Sequence, residues 1–129
     1  MSKAINWPIE FYEEVLNEDC ETPKIALRLG SLYFDNGYYL PDEIVDIRVD
    51  HKIVRQGKIV GEMKLLKIDD LNEETLNQYK SSLRQNSEVL NFLKKNYNKP
   101  VDEKTEVTVI TYKNLPVEKQ EITDDQHIS

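Results

Sequence analysis

Two bases, Lys24 and Arg28, stand four positions apart in the stretch ETPKIALRLGS, residues 21–31, with small Ala26 between them. Read as a strand, the stretch has a period of two, so both cations share one face. Two cations on one face can hold a phosphate or a carboxylate. The competing expectation is a solvated outer face, because Lys and Arg are mostly exposed. Further on, Tyr33, Phe34, Tyr38 and Tyr39 flank Asp35-Asn36-Gly37. Aromatics around a loop can stack on bases of single-stranded nucleic acid, or else cap the open end of a small barrel.

Other chemistry is missing from the text. His51 and His127 lie far apart, and neither HExxH nor CxxC occurs, so no metal or other cofactor is expected. There is no G-x-S-x-G elbow, phosphate loop or dinucleotide fingerprint. Cys20 is the lone cysteine and sits beside acids, so neither a disulfide nor a thiolate nucleophile is expected.

The elements that must position these residues can be read from periodicity. Pro8 suits the first turn of a helix that ends near residues 17–19, with Phe11, Tyr12, Val15 and Leu16 as its apolar stripe. Residues 24–29 alternate as a strand, with Ile25, Leu27 and Leu29 as the expected core face. Asn36-Gly37 is a hairpin signal. Residues 44–49 form a second strand, Asp50-His51-Lys52 a turn, and Gln56-Gly57 a candidate break. A long strand is expected from Lys58 to about Ile68. Asp70 and Glu73 read as a capping box for a helix carrying Leu71, Leu76, Tyr79 and Leu83. A further helix starts at Ser87 and ends near Asn96–Pro100, and a β-branched strand runs over residues 106–112. The expectation is one domain over residues 1–113 and a polar, acidic, frayed tail over 114–129. Strands grouped between helices indicate an α+β fold, and closure into a small barrel would remove exposed edges.

Composition bounds the partners. The 129 residues suit one domain with a real core, and the net charge of −7 argues against a protein that coats nucleic acid through bulk charge. Residues 24–67 nevertheless hold eight bases against six acids, which allows a locally basic cleft. No apolar run approaches a membrane span and the N-terminus lacks a secretory pattern, so no membrane partner and a cytoplasmic location are expected.

Several pieces together resemble the ASCH domain of the PUA-like superfamily: KIALR, LPDEIVDIRV, GKIVGEMKLLKI, DLNEETL, VLNFLKKNY and EVTVITY. The resemblance spans about residues 5–113. It implies a PUA-like β-barrel of about five or six strands flanked by three helices. It further implies a module that binds RNA or a nucleotide-like ligand, in a cleft lined by Lys24, Arg28, Tyr38, Tyr39 and Arg48, with Glu62 as an acid nearby. Arg28 matches the family's arginine. A family member that hydrolyses an acylated nucleoside uses a lysine, a threonine and a glutamate. Aligned on Arg28, this chain has Pro23 at the lysine's place and Ala26 at the threonine's, and Glu88 is the nearest acid for the third. The alternatives are thus a small amidohydrolase with Lys24 at its centre, or a protein-interaction domain using the acidic first helix and the tail. Oligomeric state is not legible in the sequence.

Overall fold

The structure is a computed structural model that describes residues 3–116; the expected tail falls largely outside them. It shows an α+β fold built on a six-stranded mixed sheet. The strands are β1 (Ala4–Trp7), β2 (Lys24–Leu29), β3 (Ile44–Val49), β4 (Lys52–Ile59), β5 (Lys64–Lys67) and β6 (Glu106–Asn114). The α-helices are α1 (Tyr12–Asn17), α2 (Leu32–Asp35), α3 (Glu73–Leu76) and α4 (Asn86–Asn96), with 3-10 turns at Ile9–Phe11 and Ile68–Asp70.

β2 and β3 begin and end at the residues expected, because both combine apolar alternation with clear flanking breaks. Elsewhere the chain departs from the reading. Residues 4–7, expected only to lead into the first helix, pair in parallel with β3 as β1. Asn36-Gly37 does not turn a hairpin. It ends α2, with Gly37 in the left-handed region at φ 58°, because Gly serves a helix C-terminus as readily as a hairpin. The tight hairpin falls at Asp50-His51, at φ 52° and 68°, where Asn6 Oδ1 accepts the His51 amide at 2.8 Å.

Gln56-Gly57 is not a break, since β4 runs through it. Gly57 is needed for space: a Cβ there would lie 3.1 Å from the Tyr112 ring and 3.2 Å from Ile47. The expected long strand from residue 58 divides instead at Gly61, at φ 69°, before β5. The helix expected after Asp70 is the single turn α3, capped by Asn72, whose side chain accepts the Thr75 amide at 2.8 Å. A capping box between Gln85 and Glu88 starts α4.

Hydrogen bonding joins the strands in the order β1-β3-β4-β6-β2, with β5 also on β6. Among the described residues β1 and β2 remain the two ends of this path, so the sheet is not closed into a barrel. Cross-strand register decides the faces. Lys24, Ala26 and Arg28 pair with Tyr112, Ile110 and Thr108, and Tyr112 in turn pairs with Ile59. The expected outer face of β2 therefore belongs to the interior. Ile25, Ala26 and Leu27 are all buried, so β2 is covered on both faces. Alternation within one strand cannot reveal that, because it distinguishes the faces without saying how many are covered.

Candidate functional site

A cleft of about 290 Å³ opens between the two ends of the sheet path and α4. β1 supplies Asn6 and Trp7, β2 supplies Leu27 and Arg28, α4 supplies Phe92, Asn96 and, just past its end, Tyr97; Tyr79 completes the wall. Aromatic packing fixes its shape: Trp7 meets Phe11 edge-on at 5.8 Å and Tyr79 at 5.9 Å, and Phe11 meets Phe92 at 5.6 Å. Contacts of this kind stabilise by about 1 kcal/mol each beyond their burial.

Among the described residues Arg28 is the only charged one lining this cleft. Its guanidinium donates to the carbonyl of the preceding Leu27 at 3.0 Å, and no carboxylate among the described residues pairs with it. Burial pushes the Tyr39 hydroxyl up to about 12 and raises those of Tyr79 and Tyr112, while the Arg28 charge beside all three opposes the rise. The two carboxamides complement it. Asn6 spends its oxygen on the His51 amide, which leaves its N–H groups, and Asn96 spends its nitrogen on the Phe92 carbonyl, which leaves its oxygen. The cleft thus offers aromatic faces, a free cation, amide donors and an amide acceptor.

Behind Trp7 lies a charged cluster that the sequence did not reveal. Lys80, only 1% exposed, pairs with Glu18 at 2.8 Å and sits 3.7 Å from the centre of the Trp7 ring. Burial pushes the Lys80 ammonium below the ordinary lysine range, and the attraction of Glu18 opposes that. Glu18 also accepts from the Asn114 amide at 3.1 Å. Arg55, buried as well, donates to the carbonyls of Val15 and Glu18 at 3.0 Å and of Leu115 at 3.1 Å, holding the end of α1 to the chain after β6. The Trp7 indole N–H and the Tyr112 hydroxyl are buried without a hydrogen-bond partner among the described residues. Lys80 carried no sequence signal, since it lies in an irregular segment between α3 and α4.

The expected site residues do not gather in one place. Arg28 lines the cleft. Lys24 does not; it is bound to Asp19 at 3.0 Å. Hydrogen bonds from Thr22 and the nearby Lys24 hold the Asp19 carboxyl down at about 2. By register Arg48 shares a face with Asn6 and Ile53, opposite Trp7 and Val49, and it lines neither this cleft nor the second cavity. Tyr39 is buried and donates to the Ala4 carbonyl at 2.7 Å. Tyr38 meets it edge-on at 4.8 Å, more exposed, beneath the Lys3 ammonium. Tyr39 and Glu62 line a separate cavity of about 230 Å³ with Phe34, Gly37, Leu40, Pro41 and Met63.

No family model, characterised protein or solved structure matches the chain. Among the described residues no helix is long and apolar enough to cross a membrane, and no cluster of His, Cys, Asp or Glu is arranged to hold a metal ion.

Proposed function

We propose that the protein is a PUA-like binding module of the ASCH kind, and that its ligand is nucleotide-like, either a free small molecule or the end of an RNA strand. The observation that carries this reading is Arg28, a cation without an acidic partner in a cleft walled by Trp7, Tyr79, Phe92 and Tyr97. A nucleobase has two π-faces for aromatic contact and an edge of donors and acceptors for carboxamides; its phosphate suits a guanidinium. The size of the cleft favours one nucleotide over a length of strand. In this reading β1 and β2 are the lips of an incompletely closed barrel, and the ligand lies in the opening.

The test is a thermal-shift and calorimetric panel of nucleosides, nucleoside monophosphates and short single-stranded oligonucleotides. A monophosphate should raise Tm and bind in a salt-sensitive manner. Arg28→Ala should weaken that binding roughly tenfold or more, the worth of a charge-assisted contact. If no member of the panel shifts Tm, the reading fails.

A second, hydrolytic reading of the same cleft has a specific observation behind it, though not at Lys24. A lysine acts as a base near neutral pH only when its pKa is lowered, and burial shifts Lys80 in that direction directly behind the Trp7 wall, with Glu18 opposing the shift. Because Lys80 is 1% exposed, a substrate reaches it only if Trp7 swings aside. Mass spectrometry on acylated nucleosides decides this. Turnover that survives both Lys80→Ala and Lys24→Ala removes the lysine mechanism.

A further inference from the structure

The cavity beside Glu62 has a chemistry opposite to that of the cleft. Its lining is mainly apolar, from Phe34, Leu40, Pro41 and Met63, with Glu62 as the single charge. Phe34 is 40% exposed and Leu40 54%, so the mouth presents bulky hydrocarbon to water. Gly37, in the left-handed region at φ 58°, lines the same recess.

The two segments that form the rim, residues 31–43 and 60–63, contain Asp35, Asp42, Glu43 and Glu62 and no Lys or Arg. Two ammoniums reach them from outside. Lys3 is committed to Glu43 at 3.0 Å and to the Tyr38 carbonyl. Lys58 stands 4.0 Å from Asp42 with both side chains well exposed, a contact weakened by solvent. Asp35 accepts only from the Ser31 hydroxyl at 2.9 Å, and Glu62 has no basic partner among the described residues.

We propose that this cavity docks a short peptide segment of a partner protein, in which a bulky apolar side chain stands next to Lys or Arg. The apolar side chain fills the recess between Phe34 and Met63, and the adjacent cation meets Glu62 and Asp42. An anchor buried in an apolar recess carries the affinity, while rim charges steer approach and select the partner. The same acids repel phosphate, so this surface rejects the ligand proposed for the cleft.

A random heptapeptide display library selected against the immobilised protein tests this. Enriched sequences should pair Leu, Met or Phe with a neighbouring Lys or Arg. A synthetic peptide from that set should bind saturably by fluorescence anisotropy, and more weakly as salt rises. Leu40→Asp should reduce its affinity at least tenfold. The charge-reversed double variant Asp42→Lys with Glu62→Lys should do the same, and covers the case in which the first variant folds poorly. Asn96→Ala, which alters the cleft at an exposed position away from the second cavity, should leave peptide affinity unchanged. Enrichment of acidic sequences or of none overturns the proposal, as does binding that survives both rim variants or falls with Asn96→Ala.

Discussion

The cleft at Arg28 and the cavity at Glu62 differ little in volume, about 290 against 230 Å³, and are built in opposite ways. The cleft is walled by side chains that belong to the core: Trp7 and Tyr79 are 3% and 4% exposed. Behind them stand Lys80 and Arg55, with Glu18 as the buried counter-ion. The second cavity lies under two turns, its side chains are half in water, and its charges are acids on the rim. A chain with a net charge of −7 therefore keeps a cation at one recess and acids at the rim of the other. Net charge alone says nothing about which sign a given recess presents, because curvature of the sheet turns Arg28 and Arg55 inward while the turns leave acids outside.

That contrast can be broken most sharply at the charges behind the cleft. Lys80→Met strands Glu18 in the interior, and removal of one partner from a buried pair costs on the order of 3 kcal/mol. Urea unfolding should show that loss, and the double variant Lys80→Met with Glu18→Gln should recover much of it. If the single variant unfolds like the wild type, the cleft has no rigid charged backing and the contrast disappears. The rim of the second cavity should behave otherwise. Leu40→Asp should change stability by only about 0.5 kcal/mol, as expected of an exposed position. A much larger loss would place Leu40 in the core and close the proposed docking surface.

The smallest effect sharpens the place of Lys24. The Asp19 carboxyl titrates at about 2, held there first by the Thr22 hydroxyl bond at 2.6 Å and then by Lys24. A carboxyl lowered in the folded state contributes stability above its unfolded pKa, near 3.8, and loses it as pH falls toward 2. In an NMR titration Thr22→Val should raise the Asp19 pKa more than Lys24→Met does. An unchanged value in Lys24→Met would release Lys24 from Asp19 and return it to the candidates for the cleft.

The site was legible in part. Arg28 stood out because a cation in an alternating strand is chemically conspicuous, and the structure places it in the cleft. Tyr38, Tyr39 and Glu62 stood out for good chemical reasons too, but Tyr39 and Glu62 line the second cavity and Tyr38 lies beneath the Lys3 ammonium. Trp7 and Lys80 were not read as site residues, and Tyr79 was read only as part of a helix's apolar stripe. Trp7 lies in a four-residue edge strand too short to show a period, and Tyr79 and Lys80 lie beyond the end of α3, in an irregular segment where that stripe does not continue.

By itself the sequence determined the α+β class, the limits of β2 and β3, and the acidic character of the chain. Those depend on nearest neighbours along the chain: alternation, flanking breaks and composition. Only the tertiary structure decided that both faces of β2 are covered, that Gly57 continues a strand while Gly61 ends one, and that one imagined cleft is two recesses of opposite charge. Each of these depends on pairing between residues far apart in the chain, such as Lys24 with Tyr112 or Lys80 with Glu18. A local pattern names the two faces of a strand, and only its partners say what covers them.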